Sequence, residues 1–357
     1  MTGRGIDQIL PHPGDPRLFE SYVNSAKRYV ELAEELCGAI ARPVEYGYVW
    51  GDAIDELRRM QPQARIVNLE TAVTTCDEAW PDKGVHYRMQ PANVACLTAL
   101  PVDCCVLANN HVMDWGRDGL IETLTTLAAA GIRTAGAGRN AAEAARPALV
   151  ESSGGVRVLV HAFGMQSSGV PGAWRATPGR SGVNMLEDLS HRSVDRIAQA
   201  VRGHKRAGDI AVVSLHWGPN WGFDISTEER HFAQCLLDAA GVDIVHGHSS
   251  HHVKGIEIHR GKLILYGSGD LLTDYEGIGG HEAYRGDLGL MYFPLVDAAS
   301  GTLQELLMTP TCVRRLRINR AGSEQSDWLC ATLNREGRKL GTGIERHADG
   351  SLRLSWT

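Results

Sequence analysis

Four short apolar runs in this 357-residue chain, at 64–69, 102–108, 209–215 and 242–245, each stop on polar residues. The last run leads into Val-His-Gly-His-Ser-Ser-His-His-Val-Lys-Gly at 245–255, which places His246, His248, His251 and His252 within seven positions of chain. Neutral imidazole nitrogens serve as metal ligands or proton carriers. Ligands of open α/β sheets bind outside the carboxyl ends of the strands. The pattern therefore predicts an α/β chain whose unusual polar residues share one sheet edge.

The first run delivers Asn68 and Glu70. The second enters Asn-Asn-His-Val-Met-Asp-Trp-Gly at 109–116, followed by a helix whose apolar face is Leu120, Ile121, Leu124, Leu127 and Ala128, closed by Gly131. In that turn Asn110 offers a carbonyl oxygen to a cation, His111 shuttles protons and Asp114 orients or charge-stabilises an imidazole. The third run ends in His216-Trp217-Gly218-Pro219-Asn220-Trp221, and the two tryptophans either wall a substrate pocket or pack the loop. His86, in the irregular stretch 71–89, is either a substrate contact or a solvated loop histidine. Asp270 follows Gly-Ser-Gly after the strand expected at 262–266.

A composition of 43% apolar and 22% charged residues is that of an ordinary globular chain. A formal net charge of -6 with no Lys/Arg run argues against nucleic acid as a partner. No run of about 18 apolar residues and no leader-like segment is visible, which points away from a membrane and toward a cytoplasmic protein. Eight cysteines without a Cys-x-x-Cys pair fit buried free thiols. Further expectations are a loop over 1–15, helices over 18–40 and 52–60, a capping box from Ser226 to Glu229, a turn at Arg260-Gly261, and a substrate-facing loop over 164–182. One domain over 1–295 with an extension over 296–357 packed on it completes the expected organisation.

Asn-Leu-Glu at 68–70, the 109–116 turn, His-Trp-Gly at 216–218 and Gly-His-Ser-Ser-His at 247–251 resemble the CapA family, linked to poly-γ-glutamate capsule synthesis. The resemblance implies a calcineurin-like metallophosphoesterase fold, a four-layer α/β/β/α sandwich. It also implies Glu70, Asn110, His216, His248 and His251 as ligands of a divalent cation, with His111 acting on the substrate. Calcium or manganese is the expected ion, with zinc, iron and magnesium as alternatives. In that family an apolar strand and a Gly-Asp pair, the aspartate a metal ligand, precede the segment that reads Met-Thr-Gly-Arg-Gly in this sequence. Either the start is assigned too late or the site works without that ligand, and in the second case proton transfer beside one cation suffers less than two-metal hydrolysis. Some CapA-like proteins epimerise the precursors of lasso peptides, a class of ribosomally made and modified peptides (RiPP). The expectation is therefore a metal-dependent peptide epimerase that inverts a Cα centre, with His111–Asp114 as one acid–base pair. His216 or His251, oriented by Asp270 or Asp224, supplies the second, and Trp217, Trp221 and His86 face the peptide substrate. The alternative is a CapA-like phosphoesterase or a poly-γ-glutamate biosynthesis or processing protein.

Overall fold

The computed structural model describes residues 1–152 and 154–356 and is a mixed α/β structure. Among the longer elements of the N-terminal part are helices α1 (Lys27–Cys37) and α2 (Asp52–Met60), strands β1 (Ile66–Asn68) and β2 (Cys104–Val106), helix α3 (Gly116–Ala129) and strand β3 (Arg133–Ala135). These three strands form a parallel sheet in the order β1-β2-β3. Next come β4 (Ala148–Glu151), β5 (Arg157–Gly164), α4 (His191–Arg202), β6 (Ile210–His216), α5 (Thr227–Ala239), β7 (Ile244–His248), β8 (Ile256–His259) and β9 (Lys262–Leu265). They build a six-stranded sheet in the order β8-β9-β7-β6-β5-β4, parallel through its centre and antiparallel at both edges. The chain ends with β10 (Leu288–Val296), β11 (Leu303–Val313), α6 (Ser323–Gly337), β12 (Thr342–Arg346) and β13 (Leu352–Trp356). Those strands make an antiparallel sheet in the order β10-β11-β13-β12.

The alternation along β6 decides how the layers stack, because successive side chains on a strand point to opposite faces. Ala211, Val213 and Leu215 pack against Val194 and Ile197 of α4 and Phe232 and Leu236 of α5. Ile210 and Val212 face the other way, onto Leu306 and Met308 of β11 and Leu329 and Leu333 of α6. Thus two helices cover one face of the large sheet. The smaller sheets cover the other face and carry α2, α3 and α6. Each fully buried aliphatic side chain in these layers contributes roughly 1.5–3 kcal/mol.

Local signals place the ends of the elements. The Ser226 hydroxyl accepts from the backbone N–H of Glu229, whose carboxylate accepts from the N–H of Ser226, closing the expected capping box on α5. Arg260 and Gly261 turn β8 into β9 with both residues at positive φ. All eight cysteines are free; Cys96, Cys104, Cys105 and Cys312 are buried and the other four partly so.

Several expectations change. The expected loop at the start contains a short helix, Gly5–Ile9, and the helix expected over 18–40 spans only Lys27–Cys37. The stretch before it stays irregular because Glu20 turns inward, where it accepts from buried Arg4 and from the Tyr29 hydroxyl. The expected division at 295/296 falls inside β10, which pairs with β11 along its whole length. The 164–182 segment is anchored at the sheet edge, where Ser168 Oγ donates to the His216 carbonyl and Trp174 is fully buried, and a Cβ at its Gly169 would stand 3.4 Å from the Asn110 amide nitrogen. Behind that edge an apolar cavity of about 300 Å³ is lined by Val67 of β1, Val212 of β6 and Leu290 of β10, and it reaches Glu70, His248 and Asp270. Among the described residues no helix is long and apolar enough to cross a membrane.

Candidate functional site

Parallel strands bring their carboxyl ends to one side, and the residues at and just beyond those ends assemble the site. Glu70 comes after β1, the 109–116 turn after β2, His216 ends β6, His248 ends β7, His251 lies in the turn beyond, and Asp270 follows β9. The register holds this edge level, since His216 of β6 lies opposite both Gly164 of β5 and His248 of β7. Gly247 is required by its neighbours: a Cβ there would sit 2.4 Å from the Tyr266 carbonyl oxygen and 2.7 Å from the Trp217 indole nitrogen. Ser249 takes φ 117, a conformation rare for a residue with a side chain, and its hydroxyl donates to the Gly218 carbonyl. Such strained backbone persists where surrounding structure over-determines it.

Two His/Asp couples stand out. His111 Nδ1 lies 2.7 Å from Asp114 Oδ2, which also accepts the Tyr87 backbone N–H at 2.6 Å. Lys83 Nζ lies 2.8 Å from Asp114 Oδ1 and 3.0 Å from His111 Nδ1. In the second couple His251 Nδ1 is 2.9 Å from Asp270 Oδ2. Aromatic rings connect the two: Tyr87 packs edge-on against His111 at 4.5 Å, its hydroxyl meets that of Tyr275 at 2.9 Å, and Tyr275 packs against His251. Buried Arg4 lies over the Tyr29 and Tyr87 rings and is held by Asp274 and Glu20.

Between the couples lies a chain of donors. His216 Nε2 is 3.0 Å from the Asn110 amide oxygen and 4.0 Å from Glu70 Oε1. Its Nδ1 meets His248 Nδ1 at 2.8 Å, and His248 Nε2 reaches the Ser214 hydroxyl, which also contacts His246. Neighbouring ligands of a cation with bonds of about 2.0–2.4 Å stand roughly 3–4 Å apart. The His216 nitrogen stands at that spacing from the Asn110 oxygen and from the Glu70 carboxylate. Among the described residues no three His, Cys, Asp or Glu side chains close on one point.

Burial sets the protonation of the site. It holds His216 and His248 well below the usual imidazole range and lowers His111 and His246 to about 4, which favours neutral rings. Burial also raises Glu70, with the neighbouring His251 opposing. His251 goes the other way: burial would lower it, but Asp270 outweighs burial and raises it. Asp114, although fully buried, is held below the ordinary carboxylate value because His111 and Lys83 outweigh desolvation.

Residues 1–275 match the family described as "Bacterial capsule synthesis protein PGA_cap". The chain belongs to that family. It is 47% identical over 355 residues to the "Probable polyglutamine synthesis accessory protein" of Mycobacterium tuberculosis strain H37Rv, covering 99% of this chain and 93% of the relative. It is also 30% identical over 193 residues to the PGA biosynthesis protein CapA of Bacillus subtilis, covering 54% of this chain and 48% of that protein. These relatives support the CapA-like, poly-γ-glutamate-related alternative better than Cα epimerisation.

In this PGA_cap chain the residues expected at the site divide. Glu70, Asn110, His111, Asp114, His216, His248, His251 and Asp270 are brought together. Of the partners expected for the second couple, the structure pairs His251 with Asp270, whereas His216 contacts Asn110 and His248 and has no aspartate, and Asp224 is exposed. Trp217 is no substrate wall: it is 4% exposed, stacks on Tyr266 and donates to the Tyr266 carbonyl. Trp221 lies half-buried at the rim, stacked on His281 and next to His251. His86 is a buried packing residue, bonded to the Trp80 carbonyl and set between Phe19 and Trp115, because the 71–89 stretch folds over it. Sequence reasoning missed Lys83, Tyr87 and Tyr275, which come from irregular segments where no periodicity marks a direction.

Proposed function

We propose that this PGA_cap chain is an accessory enzyme of poly-γ-glutamate-type polyamide synthesis that processes the anionic polymer by acid–base chemistry beside a divalent cation. The observation that carries this reading is the His111–Asp114 couple standing next to the Glu70, Asn110 and His216 donors on one strand-end edge. The relatives named for polyglutamine and PGA synthesis support the polymer class. Glu70, Asn110 and His216 would hold the cation, with His248 and His251 adjoining. Calcium or manganese suits this mixed oxygen and nitrogen set, and zinc, iron or magnesium are alternatives. The bound ion would supply positive charge to an acyl or carboxylate oxygen. His111 Nε2, the ring nitrogen turned from Asp114, takes a proton from the attacking group or returns one to the leaving group. We also read the stacking of helices, large sheet, smaller sheets and helices as the calcineurin-like metallophosphoesterase sandwich.

The test incubates the full chain with poly-γ-glutamate and manganese or calcium, following polymer length and the appearance of new amino termini. Shortening that disappears with chelator and in His111→Ala supports the proposal. Polymer that remains unchanged with every ion contradicts it. One observation favours a second reading, peptide epimerisation: two His/Asp couples, His111–Asp114 and His251–Asp270, flank the same Tyr87–Tyr275 pair, and a two-base proton exchange uses two such couples. Deuterium entering a Cα position of a peptide or of the polymer in heavy water would select that reading, and unchanged isotope content would remove it.

A further inference from the structure

We propose that Lys83 is the positioning residue of the acid–base couple, holding Asp114 so that His111 keeps its proton on Nδ1 and presents a bare Nε2 to the substrate. The inference rests on the acid–base role proposed for His111. An ammonium has three N–H donors and no acceptor. Three protein atoms surround this one: Asp114 Oδ1 at 2.8 Å as an ion pair, His111 Nδ1 at 3.0 Å, and the Val85 carbonyl, which accepts at 3.0 Å. The Lys83 side chain is only 14% exposed.

Asp114 has no solvent exposure, so its charge depends on fixed partners. Lys83 lies against Oδ1 as an ion pair, while Oδ2 takes the Tyr87 backbone N–H and His111 Nδ1. A fixed charge at Oδ1 and hydrogen bonds at Oδ2 thereby hold the carboxylate against the ring. The segment that carries Lys83 is itself tied to the turn, since the Trp80 backbone N–H donates to the Asp114 carbonyl at 2.7 Å.

One ring nitrogen cannot donate to Asp114 and accept from Lys83 at the same time. The contact with the charged Oδ2 is the shorter, so the proton of the neutral ring lies on Nδ1, facing Asp114. Lys83 is then held by Oδ1 and by Val85, and its closeness to Nδ1 comes from the carboxylate they share. Remove the ammonium and Oδ1 loses its partner, the carboxylate turns, and Nδ1 no longer has a fixed acceptor. The ring then populates both neutral tautomers.

The test reads the ring nitrogens of His111 by nitrogen-15 NMR in the full chain labelled at histidine, assigned with His111→Gln, at neutral pH and without substrate. Wild type is expected to give one protonated-type signal for Nδ1 and one bare-type signal for Nε2. Lys83→Met, which keeps the stem and removes the charge, should move both signals toward a common averaged value. Lys83→Arg, which keeps a cation, should return them to the wild-type positions. Should Lys83→Met not fold, Lys83→Gln replaces it with the same expectation. A wild-type proton on Nε2, or His111 signals that do not move when the charge is removed, would overturn the proposal. Because no turnover is measured, an inactive protein that shows the shift loses the proposed function and keeps this inference, and an active protein without the shift does the reverse.

Discussion

Trp217 and Trp221 lie four residues apart and occupy opposite situations. Trp217 sits beneath the site with its ring on Tyr266 and Phe232, while Trp221 stands at the rim on His281. Removing a fully buried tryptophan costs about 3–5 kcal/mol, so Trp217→Ala should lower the urea midpoint strongly. Trp221→Ala should move it much less and weaken polymer binding instead. The opposite ranking would show that the rim and the core have been misassigned. At this scale the candidate site was legible wherever an apolar run ended: His216 and His248 close their strands, Glu70 and Asn110 lie two and four residues beyond theirs, and strand ends are what apolar runs mark. Lys83 was not legible, because it reaches Asp114 from an irregular loop and only the folded backbone brings it there. His86 and Trp217 were ambiguous in sequence, since a histidine or tryptophan beside a polar edge has the same chemistry whether its ring points out or in.

Elements were legible where the hydrophobic period ran unbroken, as in α3, or where turn chemistry was specific, as at Arg260-Gly261. They were misread where tertiary contacts overrode the period. The 18–26 stretch has helical spacing, yet burying Glu20 on Arg4 and Tyr29 draws it out of the helix. The C-terminal strands looked like an appendage because they carry no chemical motif. Their side chains nevertheless cover one face of the large sheet, where Leu306 and Met308 meet Val212 and Ile244. Leu306→Ala should therefore destabilise the whole chain by about 2–5 kcal/mol in one cooperative transition. Chemical denaturation followed by circular dichroism and by tryptophan fluorescence checks this. Two separate transitions, with only one shifted, would mean that the residues after 295 fold on their own.

At the scale of the molecule, burying several neutral imidazoles couples the site to the stability of the fold. His111 and His246 are lowered to about 4 from an ordinary value of 6.5, so the folded chain leaves them neutral where the unfolded chain protonates them. Through that window the unfolded state binds more protons, and stability falls as pH falls. His251 has the opposite sign, because Asp270 raises it: its contribution is present below 6.5 and is lost as pH rises through its folded value. The lowered group is the larger, so the urea midpoint should drop between about pH 7 and about pH 5. A midpoint that rises over this interval would place charged imidazoles in the folded site.

The central claim is that Glu70, Asn110 and His216 form a cation site next to an independent acid–base couple, and manganese binding tests it most directly. Calorimetric titration of the full chain, checked by the electron paramagnetic resonance of free manganese, should show a saturable site. That site should be lost or weakened at least about tenfold, roughly 1.4 kcal/mol, in Glu70→Gln and in His216→Ala, and retained in His111→Ala. Saturable binding that survives in both ligand variants, or wild type that binds no manganese or calcium, would contradict it.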